Sequence, residues 1–308
     1  MEKPMYSFVE KERQCERAFE NAGPFWHLCT DGTKMENIFT CNDDMKKGMI
    51  SLAKSKCMTP GIDIITFEFM INHVHIILSG GRSECMQLFK TFKKNLIRVL
   101  GSSKKGINWT LFDAQLLEIP DIKALRNEII YTHRNAFVAN PQYTPFNYPW
   151  GGGWTYFTPM IQLIPLTSYC QVTNKQKRLL TYSRPNEAYN ILTFVGDTVF
   201  IPSFCNIELG ESIYQDARSY FNSLTRNSEA YSLIAERLKD NIFLTDDEIY
   251  LVARKYSEDH FNCKQLKILS PEQKIQTASK LHFKYKASNQ QIRRILNLDS
   301  DILNELFP

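Results

Sequence analysis

The sequence predicts an α+β fold, an antiparallel sheet with helices packed on one face, followed by a mostly α-helical C-terminal domain. Three observations predict it. Residues 23–139 alternate between strand and helix periodicity, residues 140–159 hold a proline, glycine and aromatic run that breaks every periodicity, and residues 160–308 are mainly helical in pattern. The order strand, helix, two strands, helix, strand, helix is that of a compact α+β domain.

In chain order, Ser7 to Ala22 reads as an N-terminal helical segment, covering 1–22 with its lead-in and stopped by Gly23-Pro24. Phe25 to Thr30 reads as a strand. Asn42-Asp43-Asp44 marks a helix start, because short polar side chains accept from the unpaired N–H groups of a first turn, and Met45, Met49, Leu52 and Ala53 supply its apolar stripe. Ile62 to Met70 is a strand, and Val74 to Leu78 continues or pairs with it before Gly80-Gly81 breaks the chain. Ser83 is the expected cap of a helix that buries Cys85, Leu88, Phe89, Phe92, Leu96 and Val99 and wets Lys90, Lys94 and Arg98. Trp109 to Ile119 reads as a strand, and Pro120-Asp121 opens a helix from Ile122 to about Val138.

The stretch Asn140 to Pro159, which contains Tyr148-Pro149-Trp150-Gly151-Gly152-Gly153-Trp154, is expected to link two domains. Beyond it, Ile191 to Ile201 suggests a hairpin across Gly196-Asp197. In residues 270–308, Ser270, Ser288 and Ser300 each stand where an N-cap would, and the turn Asn297-Leu298-Asp299 between short helices suggests a helix-turn-helix unit.

With 308 residues, 43% of them hydrophobic and 23% charged, the chain has enough apolar material for two packed domains and too much for a disordered class. No apolar run approaches a membrane span, and Met1-Glu2-Lys3-Pro4 lacks the start of a signal peptide, so the expectation is a cytoplasmic protein without a membrane partner. Eight cysteines with no close C-x-x-C pair disfavour a zinc ribbon, a redox motif and a disulfide scaffold. The net charge of +4 permits an acidic partner without requiring one. Between Met86 and Gly106, however, stand Lys90, Lys93, Lys94, Arg98, Lys104 and Lys105 and no acid, a concentration that suits a phosphate backbone. On most proteins such a stripe is simply a solvated helix face.

Within Phe69-Met70-Ile71-Asn72-His73-Val74-His75-Ile76-Ile77-Leu78, two histidines one residue apart share one face of a strand, a metal-ligand arrangement. Downstream, Tyr131-Thr132-His133-Arg134-Asn135 on a helix sets Tyr131 and Asn135 one turn apart on a common face. That face is not explained by the apolar stripe Ile122, Leu125, Ile129. His133 points elsewhere and reads as a structural or DNA-contact residue; His27, His260 and His282 stand isolated in the sequence and receive no role.

These paired motifs resemble those of the single-tyrosine HUH transposases, and within them the REP-associated tyrosine transposases of the IS200-like group. That family typically reads Met-Pro-Asn-His-hydrophobic-His, Tyr-Ile-His-x-Asn-Pro and Tyr-x-Trp-Ser-Ser. The matching segments here are Met70 to His75, Tyr131 to Ala136 and Tyr148 to Gly151, with Ile71, Ala136 and Gly151-Gly152 departing from the family's prolines and serines. The resemblance covers roughly residues 20–155 and implies a ferredoxin-like catalytic domain at 23–139. It also implies a divalent ion, Mg²⁺ or Mn²⁺, on His73, His75 and Asn135, with Tyr131 as the nucleophile that forms a 5′-phosphotyrosine. The implied partner is single-stranded or hairpin DNA, met by a monomer or homodimer that joins the prokaryotic nucleoid when bound. Lys90, Lys93, Lys94, Arg98, Lys104, Lys105, Trp150, Arg293 and Arg294 are the candidate DNA contacts.

Imidazole is an unusual ligand for hard Mg²⁺, so the residues leave the metal's identity open. They also leave open the base for Tyr131, for which Glu128 and His133 are within reach on the same helix. Two rivals use the same residues: a DNA-binding regulator with a decayed centre, and a metal-dependent phosphohydrolase that activates water.

Overall fold

The computed structural model describes residues 8–139, 143–226, 234, 237–238, 244 and 246–307. The chain divides into two compact units, Met1–Asn227 and Ser228–Pro308. The stretch expected to link two domains therefore lies inside the first unit, and Asn140, Pro141 and Gln142 within it fall outside the described residues.

The first unit opens with α1 (Phe8–Ala22), β1 (Phe25–Thr30), α2 (Asn42–Cys57), β2 (Asp63–Phe69), β3 (Val74–Ser79), α3 (Arg82–Leu100), β4 (Ala114–Ile119) and α4 (Ile122–Ala139). The strands form one antiparallel sheet in the order β2-β3-β1-β4. The fold class is α+β with antiparallel sheets, as the alternation of periods implies. β4 begins only at Ala114, because the residues from Trp109 make local turns first. Ser83 does not cap α3. Gly81 holds the N-cap position, and the Ser83 hydroxyl donates to the Glu84 carboxylate instead.

Helices lie on both faces of the sheet, which corrects the expectation of one. Alternation along the strands shows why. Trp26 and Leu28 of β1, Phe67 and Phe69 of β2, and Val74, Ile76 and Leu78 of β3 join the stripes of α2 and α3 in one apolar core. Residues of opposite parity, Phe25, Ile77 and Ile119, pack with Leu125, Ile129 and Ile130 of α4. The Asp121 carboxylate starts α4 by accepting from the Ala124 N–H at 2.7 Å.

The glycine-rich stretch is a sheet-edge element rather than a linker. Phe69 N–H donates to Trp150 O at 3.0 Å and Gly152 N–H to Phe67 O at 2.8 Å, which lays residues 150–152 along the outer edge of β2. Glycine is required there: a Cβ on Gly152 would stand 2.2 Å from Thr66 Oγ1, and one on Gly153 would stand 2.6 Å from Pro145 O. Farther along, Asn206 N–H donates to Ile64 O at 2.8 Å, near the start of the same edge.

The expected hairpin at Gly196-Asp197 is present as Thr193–Val195 paired with Thr198–Val199, joined by Thr167–Ser168 in a small second sheet. In the second unit, Pro271–Tyr285 and Asn289–Leu296 begin in capping boxes built by Ser270 with Gln273 and Ser288 with Gln291. Ser300–Leu306 is capped by Asp299, not by Ser300. Among the described residues no helix is long and apolar enough to cross a membrane.

Candidate metal and tyrosine centre

On the α4 side of the sheet, polar residues stand among the apolar ones at positions of the same parity as Phe25 and Ile77. His27 of β1, His75 of β3, and Thr66 and Glu68 of β2 all face α4, which presents Glu128, Tyr131 and His133 to them. His75 stands across from Glu68 in the ladder, so these side chains are close neighbours by construction.

His73 and His75 have ring centroids 5.0 Å apart, and the Tyr131 ring lies 5.4 Å from that of His75 and 6.0 Å from that of His27. Helix α4 therefore sets Tyr131 beside His75 of β3, with His73 next to His75 but in the turn just before the strand rather than on it, which corrects the expectation of one strand face for both histidines. Asn135 follows Tyr131 by one turn on α4 and is buried, as is Tyr131, which is 1% exposed; His73 is half-buried.

The hydrogen bonds behind the histidines fit metal ligation. Asn72 Nδ2 donates to Gly32 O at 2.7 Å and to Met35 O at 3.3 Å, which turns Asn72 Oδ1 toward His73 Nδ1 at 2.7 Å. An amide oxygen only accepts, so His73 carries its proton on Nδ1 and a lone pair on Nε2. Gly32 allows this contact, since a Cβ there would stand 2.6 Å from His73 Nδ1. Behind His75, His27 Nε2 lies 3.0 Å from His75 Nδ1 while His27 Nδ1 lies 2.7 Å from Glu128 Oε2. Among the described residues no group of three His, Cys, Asp or Glu could hold a metal ion, and the expected set is two imidazoles and an amide.

His27 is thus not an isolated histidine. It is fully buried at the middle of a chain of three titratable side chains. Its signal in the sequence was alternation: His27 and Cys29 share the parity of the inward-facing positions of β1, as Thr66 and Glu68 do on β2. Glu68 accepts from the Ala136 N–H at 2.5 Å, and burial raises its carboxyl well above the ordinary range.

His133 is structural. Its Nε2 meets Thr66 Oγ1 at 2.6 Å and its Nδ1 meets Tyr220 Oη at 2.8 Å, and burial drives its pKa down to about 3. A neutral ring with both nitrogens engaged does not reach solvent, so the DNA-contact alternative for His133 fails.

The basic candidates lie elsewhere. Lys90, Lys94 and Arg98 are exposed and Lys93 half-buried on α3, which packs on the face of the sheet opposite α4. Lys104 is tied to Asp44 at 2.7 Å and to Thr40 Oγ1 at 2.6 Å, whereas Lys105 is exposed. Trp150 is buried and, with Tyr143, Tyr148 and Met70, lines a cavity of about 410 Å³ beside Ala136. In the second unit Arg293 is exposed and Arg294 holds Asp246 through two bonds of 2.6 and 2.9 Å.

Comparison with family models, curated proteins and solved structures found no match to this chain.

Proposed function

We propose that this protein cleaves and rejoins DNA strands by metal-assisted attack of Tyr131. The observation that carries the reading is the packing of the Tyr131 ring against His75, whose ring in turn lies beside that of His73, although the helix and the histidines are far apart in sequence. The order of elements β1-α2-β2-β3-α3-β4 and the sheet order β2-β3-β1-β4 support describing the domain as ferredoxin-like.

Mg²⁺ or Mn²⁺ on His73, His75 and Asn135 would neutralise charge gathering on the phosphoryl oxygens. Tyr131 Oη attacks phosphorus and loses its proton, the bond to the 3′ oxygen breaks, and that oxygen leaves as a hydroxyl after taking up a proton. The 5′ phosphate is then esterified to Tyr131. One phosphoester has replaced another, so a 3′-hydroxyl reverses the step and joins strands without an external energy source. Single-stranded or hairpin DNA is the substrate class that the resemblance of the paired motifs implies.

Burial of Tyr131 favours a second reading, a DNA-binding regulator that does not cleave. A denaturing gel decides between them: wild type and Tyr131→Phe with Mn²⁺ or Mg²⁺ and labelled single-stranded DNA from the ends of the gene's own locus. The expected result is a metal-dependent covalent adduct absent from Tyr131→Phe. Cleavage that survives Tyr131→Phe without an adduct would transfer the assignment to a water-using hydrolase, and binding without cleavage would transfer it to the regulator.

A further inference from the structure

We infer that Glu128 and His27 form a positioning relay that fixes the tautomer of His75, placing the His75 proton on Nδ1 and a lone pair on Nε2. The inference rests on the metal-centre reading for its purpose, but the relay's polarity is a property of the protein alone.

The geometry leaves few ways to place protons. His27 is enclosed, with Glu128 Oε2 at 2.7 Å from one ring nitrogen and His75 Nδ1 at 3.0 Å from the other. A carboxylate oxygen only accepts, so the hydrogen in the Glu128–His27 contact belongs to His27 Nδ1. A neutral His27 then has only a lone pair at Nε2, which must receive a hydrogen from His75 Nδ1. The His75 lone pair falls on Nε2. The opposite polarity would need a protonated Glu128 or an imidazolium at His27, and either would put the hydrogen on His75 Nε2.

His73 reaches the same state by an independent route, the Asn72 amide. Two different devices give one result, Nε2 lone pairs on both His73 and His75. Structural satisfaction alone does not require that agreement. Outer hydrogen bonds of this type typically change metal affinity by 10–100-fold when removed.

The test has two arms, both on the full chain. Long-range ¹H–¹⁵N correlation spectra of histidine-labelled protein without metal read each tautomer directly. His27 and His75 are both expected in the Nδ1–H form; an imidazolium at His27 or an Nε2–H at His75 overturns the relay. The second arm is titration with Mn²⁺ alone, followed by electron paramagnetic resonance. His27→Asn keeps a donor for Glu128 but offers nothing at the Nε2 position, and it is expected to weaken Mn²⁺ binding roughly 10–100-fold. The double variant His27→Phe/Glu128→Leu removes relay and charge together, guards against misfolding from an unpaired carboxylate, and is expected to show the same loss. Wild-type affinity in both folded variants overturns the relay and leaves the function standing. Wild type without Mn²⁺ binding or adduct, but with the expected tautomers, overturns the function and leaves the relay as a feature of the fold.

Discussion

Helix α4 has a buried histidine cluster on each side, and the two are built on different chemistry. His133 sits between two hydroxyls, Thr66 Oγ1 and Tyr220 Oη. His75 sits at the end of a line that begins with a carboxylate, Glu128, and passes through His27. A hydroxyl both donates and accepts, so it satisfies an imidazole in either tautomer. A carboxylate at the head of a line imposes a direction. The first cluster glues elements together, and the second sets the chemical state of a particular nitrogen.

The two clusters differ most in what their loss does to activity. His75→Ala is expected to lower adduct formation on the order of 10³-fold, as loss of a ligand would. His133→Phe should stay within about threefold per folded molecule in the same gel, and equal losses in both variants would erase the distinction. Stability should reverse the ranking. His133→Ala leaves a cavity and two buried hydroxyls short of a partner, costing about 3 kcal/mol in urea denaturation. Gly152→Ala strikes the same cluster from outside, because its Cβ would displace the Thr66 hydroxyl that meets His133. Its cost is about 1–3 kcal/mol.

The pH dependence sharpens the contrast further. His133 has a folded pKa of about 3 against 6.5 when unfolded, so the unfolded state binds the extra proton between those values. Its contribution is complete above pH 6.5 and falls by about 1.4 kcal/mol per unit on acidification toward pH 3. Glu68 has the opposite sign: its raised pKa gives stability that is full below pH 4.5 and is lost as pH rises. Comparing the acid limb of wild type with that of His133→Phe isolates the first slope, and an unchanged limb would contradict it. The smallest effect belongs to Lys90, Lys94 and Arg98. Because α3 lies across the sheet from α4, replacing all three with alanine should change adduct yield by less than about threefold at moderate salt, as read on the same gel.

Periodicity made most of the sheet and its helices legible, because each has a buried side and the burial repeats with the element's own period. Ile62 to Leu78 marks the strand segments and Pro120-Asp121 the start of α4, while the sequence leaves open whether Val74 to Leu78 continues the preceding strand or pairs with it, and the structure pairs them. Which face α4 would cover was less accessible. Strands buried on both sides alternate apolar with apolar, and only His27, Thr66, Glu68 and His75 betray that the two faces differ. In the centre, His73, His75 and Tyr131 could be named from spacing, whereas Gly32 and His27 depend on contacts between residues distant in the chain. The glycines at 151–153 misled because a residue without a side chain serves a loose tether and a tight backbone contact equally well.

That tight contact bears on how the chain is made. β2 leaves the ribosome well before residues 150–152 and 206, whose backbone groups complete its outer edge. A nascent chain halted after α4 holds all four strands yet offers an unfinished row of N–H and C=O groups, a template for joining other chains edge to edge. The backbone groups that meet this edge come from downstream residues, and a fragment ending at residue 139 should aggregate where one ending at residue 227 remains monodisperse.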